Sequence, residues 1–221
     1  LPAVQEYFIK CLENVITRTN SSDVSIEVKP KLHIKSNYLN NSYINSKVVD
    51  ALENVLKSLD STYDFTNRNL PVDCCLINHP ILKTRIIEFD EAQHFSNKRL
   101  ITIKELNSYF KLHFHSDYLS LFKNPQIKES YEKAIKGRSG FISHKRGFNY
   151  KGGRISQRAF YDTLKDVAHL SKENKGLSPI IRFSMFEFGV YSNSRFLRIP
   201  QEKIESYIEN KLYKLYKEYK V

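Results

Sequence analysis

Two β-rich runs tied by a very short link restrict this chain more than any other feature. LPVDCCLIN, residues 70–78, and LKTRIIEFD, residues 82–90, are joined through His79 and Pro80, too short a connection for anything but an antiparallel hairpin. Both runs read as half-buried or buried strands. The segments around them carry the other periodicities that a core needs. Phe8, Leu12, Val15 and Ile16 recur at helical spacing and predict a first helix, closed by the polar stretch TRTNSSD. VSIEVKPKLHIKSNY alternates around Pro30 and reads as two short strands or extended segments, with a loop as the alternative. In SKVVDALENVLKSLD, Val48, Val49, Leu52, Val55, Leu56 and Leu59 form one stripe, with Asn45 or Ser46 available as the cap.

Helical patterns resume at TIKELNSYFKL, PQIKESYEKAI and ISQRAFYDTLKDVAHL. SPIIRFSMFEFG then reads as a buried strand, and Pro200 opens a last helix with Ile204, Ile208, Leu212 and Leu215 on one face. No internal repeat is present, so one α/β domain with an inserted arm is the simplest organisation. The 221 residues are 41% hydrophobic and 27% charged, which supports a real core and a soluble, globular class. No window holds the roughly 18 apolar residues of a membrane span, and the start carries Glu6, Lys10 and Glu13 where a signal peptide is apolar. The three cysteines, Cys11, Cys74 and Cys75, include an adjacent pair that does not easily close on itself, which argues against a disulfide framework or a thiolate zinc site. The expected setting is reducing and cytoplasmic, with no membrane partner.

Charge points to a polyanionic partner. With 35 Lys and Arg against 24 Asp and Glu, the formal net charge is +11, and such an excess favours phosphate-rich partners through counterion release. Its distribution is uneven. From Lys133 to Arg154 there are seven Lys or Arg and no acid, and five of the seven glycines fall there. This segment reads as a mobile or extended basic loop with Phe141, Phe148 and Tyr150 interspersed; the plain alternative is a solvated surface loop. As a nucleic-acid contact its candidates are Arg138, Lys145, Arg146, Lys151 and Arg154, with Arg158 just beyond.

The hairpin carries the candidate chemistry. Asp73 lies near the start of the first strand; Glu88 and Asp90 lie near the end of the second, spaced by two and therefore on one face. A connection centred on Pro80 and Ile81 sets Asp73 opposite Glu88, whereas a one-residue slip moves it to the other face. Three carboxylates gathered there repel one another, and a hard divalent cation resolves the conflict. Mg²⁺ suits oxygen ligands and substrate phosphate, with Mn²⁺ able to substitute, and the reaction implied is phosphodiester hydrolysis. The competing reading pairs these acids with cations such as Arg85 or Arg99.

The block IIEFDEAQHF, holding Glu88, Asp90, Gln93 and His94, resembles the second-strand signature of a branch of the PD-(D/E)XK nucleases, the restriction-endonuclease-like superfamily that includes very-short-patch repair endonuclease-like proteins. Pro71–Asp73 looks like the preceding PD element, and the helix around Glu53 takes the place of the family's first core helix. Relatives follow the acidic strand with a helix carrying Asp-x-x-Lys, a strand with an apolar-Arg-apolar core and a closing helix. Here those are Asp162 and Lys165, then Arg182, then the Pro200 helix. The resemblance covers roughly residues 45–100 and 155–215. It implies a single nuclease domain with a restriction-endonuclease-like α/β core, a central mixed sheet flanked by helices, preceded by residues 1–44 as an N-terminal extension and interrupted by 101–154 as an insertion with the basic loop. The family's third motif position, a lysine, is Asp90 here, so Lys165 is the first candidate and Lys83 the second for the missing cation. Gln93 and His94 are expected near the metal-bound water or the phosphate, with His94 as a proton-transfer group because imidazole titrates near neutrality.

The leading expectation is a Mg²⁺-dependent endonuclease on double-stranded DNA, of the type II restriction kind, with Asp73, Glu88 and Asp90 organising metal and water. Cutting both strands of a symmetric site implies a homodimer, whereas nicking implies a single chain. Its rivals are a repair or nicking nuclease on the same fold, and a nucleic-acid-binding module whose acidic hairpin is inert.

Overall fold

The computed structural model describes residues 2–20, 22–37 and 45–219. Along the chain run α1 (Pro2–Thr19), β1 (Ser25–Val28), α2 (Ser46–Ser58), β2 (Cys74–His79), β3 (Lys83–Asp90), α3 (Asn97–Tyr109), α4 (His115–Phe122), α5 (Pro125–Ile135), α6 (Ser139–Ile142), α7 (Gly153–Asp166), β4 (Leu177–Ser184), α8 (Asn193–Phe196) and α9 (Gln201–Tyr219). They fall into two compact units. One comprises Leu1–Lys31, Pro71–Glu91 and Gly176–Val221; the other comprises Leu32–Leu70 and Ala92–Lys175.

The first unit holds a four-stranded open sheet in the order β1-β2-β3-β4. β1 pairs with β2 and β2 with β3 antiparallel, while β4 runs parallel to β3. A parallel neighbour cannot follow through a tight turn, and here the connection from β3 to β4 spans residues 91–176. The hairpin closes through Pro80, Ile81 and Leu82 with Cys74 opposite Ile87, the expected register, and the ladder shifts between Leu76 and His79. Residues 2–28, read from the sequence as part of an N-terminal extension, supply α1 and the edge strand β1 to this unit. Of the two extended segments predicted there, the first is β1. The second is reduced to a single bridge, Lys35 with Asn69, in the other unit, and its end from Tyr38 lies outside the described residues. Pro30, which has no N–H to donate, follows shortly after β1 ends.

α1 covers one face of the sheet. Phe8 stacks on Phe89 of β3 at 4.4 Å between centroids and meets Phe183 of β4 at 5.1 Å. By strand alternation Glu88 and Asp90 project from the opposite face. α9 buries Ile204, Ile208 and Leu212 and is tied to α1 by Glu205, which accepts from Asn14 Nδ2 at 2.9 Å and Arg18 Nη1 at 3.1 Å. Those bonds, with one from Gln201, hold the Glu205 carboxyl below its ordinary value. A carboxyl depressed by folding contributes stability that is present above its unfolded pKa and lost as pH falls through the folded one. Glu205→Gln is therefore expected to lower the melting temperature at pH 6, with the gap to the parent narrowing as pH falls through the folded pKa of Glu205; a gap that stays constant down to the acid-unfolding limit would rule the linkage out.

The second unit is helical. α2 buries Val48, Ala51, Leu52, Val55 and Leu56, and its N-cap is Asn45, whose side chain accepts from Lys47 N–H at 2.9 Å. α7 is the most enclosed helix of this unit, with Phe160 and Leu164 fully buried. The basic segment is folded here, which corrects the expectation of an extended loop. α5 reaches Ile135, α6 follows, and a turn bridged between Lys145 and Phe148 leads into α7. Phe148 is 0% exposed, between Phe65 and Phe160 at 5.7 and 6.3 Å. The glycines serve packing. A Cβ on Gly147, whose φ is +83°, would sit 2.8 Å from the Asp64 carbonyl oxygen, and one on Gly153 would sit 1.9 Å from that of Phe148. No helix among the described residues is long and apolar enough to cross a membrane.

Candidate active site and candidate nucleic-acid contacts

The candidate site residues divide between the two units. Asp73, Glu88 and Asp90 belong to the sheet unit; Gln93, His94, Lys165 and the basic candidates belong to the helical one. In the sheet unit the register brings Asp73 and Glu88 together. Asp73 Oδ2 accepts from Phe89 N–H at 2.8 Å, and Glu88 Oε1 accepts from Asp73 N–H at 3.1 Å. Each carboxylate thus clasps the backbone of the other's strand, just where β2 begins and β3 nears its end. Glu88 is 1% exposed and Asp73 is half-buried. Two such oxygen donors fit Mg²⁺, which takes one or two carboxylates and completes its shell with water and substrate phosphate.

Asp90 meets a partner that its spacing did not indicate. Its carboxylate is buried, and both oxygens accept from Arg182 Nη1 at 2.9 Å. The third carboxylate of the expected metal set is therefore neutralised by a guanidinium on β4, one strand over. Arg182 is the partner in place of Arg85 or Arg99. Arg85 donates to the carbonyls of Leu82 and Pro179 and lies 3.9 Å from the Tyr219 ring, whereas Arg99 pairs with Asp166 at 2.8 Å in the other unit. The second lysine candidate is also displaced. Lys83 sits at the turn end of β3 and donates to Pro80 O at 2.8 Å, about 16 Å along the strand from Glu88 at 3.3 Å per residue. The cysteines are free and buried. Burial pushes Cys75 to about 12, Cys11 to about 11 and Cys74 upward, so none presents a thiolate near neutral pH.

In the helical unit His94 ends a single 3₁₀ turn, Ala92–His94, that follows β3 directly. Its Nδ1 lies 2.9 Å from Asp162 Oδ2 and its Nε2 lies 3.1 Å from Arg158 Nη2. A guanidinium only donates, so Nε2 accepts and Nδ1 carries the proton given to Asp162. Asp162 and Arg158 reach the same ring because they stand four residues apart on α7. Gln93 is half-buried beside this cluster, lining a narrow crevice with His94, Arg158 and Asp162. Lys165 is half-buried one turn further along α7. The histidine and its carboxylate partner are 68 residues apart, a pairing that no local pattern announces.

The basic candidates are dispersed over the folded segment. Arg138 and Lys151 are exposed, Lys145 is half-buried, and Arg146 pairs with Asp64 at 2.7 Å between two exposed side chains. Arg154 donates to Gln157 Oε1 at 2.7 Å. Arg68, from the loop 61–70, lies over the Tyr161 ring at 5.3 Å; it stands outside the basic segment, and no sequence pattern marks it. Among the described residues no group of three or more His, Cys, Asp or Glu is arranged to hold a metal ion. The chain matches no protein-family model, no curated protein and no solved structure.

Proposed function

We propose that this protein is a Mg²⁺-dependent DNA endonuclease built on a restriction-endonuclease-like core. The observation that carries the reading is the interlocked pair of Asp73 and Glu88 on adjacent strands. Chain order supports it. The acidic strand β3 is followed by α7 with Asp162 and Lys165, by β4 with Arg182, and by the closing helix α9, the succession that the nuclease resemblance implies. The net charge of +11 suits a phosphate-rich substrate.

Held by Asp73 and Glu88, a divalent ion would supply Lewis acidity at the phosphodiester and make water more acidic. The chain's own residues supply the rest. Asp73 and Glu88 hold a fixed spacing because each is bonded to the other's backbone, and Arg182 pairs with Asp90, two residues from Glu88 on the same strand face. A type II restriction enzyme cutting both strands of a symmetric site works as a two-fold pair of chains, and a nicking enzyme works as one.

A second reading has a specific observation behind it. With Asp90 neutralised and Glu88 buried, the hairpin is also what a nucleic-acid-binding module without catalysis would carry. Incubating the protein with supercoiled plasmid and Mg²⁺ or Mn²⁺ separates these. Discrete linear fragments are the expected result, and a nicked circle assigns single-strand cleavage. An intact supercoil under both metals favours the binding module.

A further inference from the structure

Within the helical unit three guanidiniums gather without a direct salt bridge to any of them, the nearest carboxylate, Asp162, reaching Arg158 only through His94. Arg154 and Arg158 stand one turn apart on α7, and Tyr161, three residues on, shares their face. Arg68 approaches from the loop 61–70 and lies over the Tyr161 ring. Burial lowers the Arg154 pKa, and the charges of Arg158 and Arg68 lower it further; Arg154 is close enough to each of the other two to repel it. Their partners are neutral: the Gln157 amide oxygen for Arg154, the His94 imidazole for Arg158 and the Tyr161 π face for Arg68. Among the described residues none of the three makes a salt bridge. Arg158 meets His94, and His94 in turn meets Asp162.

We propose that Arg68, Arg154 and Arg158 form a cradle for the phosphodiester backbone of a nucleic-acid strand, placing one phosphate against His94. A cluster of like charges with no direct ion pair costs free energy in the empty protein, and an anion shared among the three reverses the sign of that term. Planar guanidinium forks match phosphate oxygens two at a time, which a scatter of surface lysines does not. Three forks on one face exceed what a single phosphate needs, and Lys145 and Lys151 stand close by in the chain, with Arg146 held by Asp64, so further cations are at hand for the neighbouring phosphates that a strand brings and a free phosphate does not. Engagement of Arg158 by a phosphate also draws its Nη2 from His94 Nε2 and leaves that nitrogen to accept a proton. The placement against His94 rests on the nuclease reading; the cradle itself does not.

The test is the salt dependence of binding to a short labelled DNA duplex without divalent metal, alongside melting temperatures. Arg68→Gln, Arg154→Gln and Arg158→Gln are each expected to weaken binding on the order of ten-fold. The slope of log K against log salt should flatten by about 1 for each phosphate that the variant no longer neutralises. Melting temperatures should hold or rise, because repulsion is relieved. Arg154→Lys, which keeps the charge and loses the fork, should weaken binding while retaining the slope. The proposal is overturned if the parent binds no duplex, if the variants keep its affinity and slope, or if lost affinity tracks a lowered melting temperature. Inorganic phosphate that raises the parent's melting temperature without any duplex binding reassigns the cluster to a small anion and overturns it too. Plasmid cleavage is scored separately. An intact cradle without cleavage sinks the nuclease reading alone, and cleavage with unaffected variant binding sinks the cradle alone.

Discussion

Asp73→Asn and Glu88→Gln are each expected to reduce Mg²⁺-dependent DNA cleavage by on the order of a thousand-fold, equivalent to about 4 kcal/mol of transition-state stabilisation. The amide oxygens can still accept from Phe89 N–H and Asp73 N–H, the bonds that join β2 to β3. The fold should therefore survive while the charge that holds a cation is lost. Metal-free duplex binding serves as the control, since removing a negative charge leaves it unchanged or slightly tighter. Kinetics on a plasmid substrate, with circular dichroism on each variant, check the result. Cleavage at the parent's rate in both variants would remove the pair from the chemistry. Loss of cleavage accompanied by a collapsed spectrum would be read only after Asp73→Glu had been measured, because that variant retains the charge.

Arg182→Met should strongly destabilise the fold. It leaves the Asp90 carboxylate buried with its guanidinium gone, and breaking a buried pair from one side costs about 3–5 kcal/mol. For a chain of this size that is a fall in melting temperature of about 10 °C. Replacing both partners, as in Arg182→Met with Asp90→Leu, should recover most of the loss, because an apolar pair needs no compensating charge. The double variant also separates two roles for Asp90. If it cleaves DNA at the parent's rate, Asp90 is a structural counter-ion; if it refolds and no longer cleaves, Asp90 acts in the chemistry as its spacing from Glu88 suggested. A melting temperature within about 1 °C of the parent for Arg182→Met alone would show that the pair contributes little.

Local signals were readable where the physics is local. The hairpin follows from the short link, but its register does not follow from the link alone: the turn closes through Pro80, Ile81 and Leu82 with His79 opposite Lys83, and only the shift between Leu76 and His79 restores the expected pairing of Cys74 with Ile87. α2 and its Asn45 cap follow from helical periodicity and capping preference, and the Pro200-initiated α9 follows in the same way. The basic segment misled because composition counts charge and glycine but not the partners of an aromatic ring. Phe148 finds Phe65 and Phe160, both distant in sequence, and their burial orders the backbone that glycine content alone would leave extended.

Strand and helix periods, the hairpin, the acidic pair and the cationic excess were set by residues within one turn or one tight link of each other, and each was visible in the linear chain. The parallel seating of β4 beside β3, the entry of residues 2–28 into the sheet unit, the capture of Asp90 by Arg182 across 92 residues and the meeting of His94 with Asp162 across 68 were decided by tertiary folding. Such pairings depend on closing long loops against chain entropy, and burial of surrounding apolar surface selects among them. A linear pattern carries no record of which distant partner will be there when water leaves.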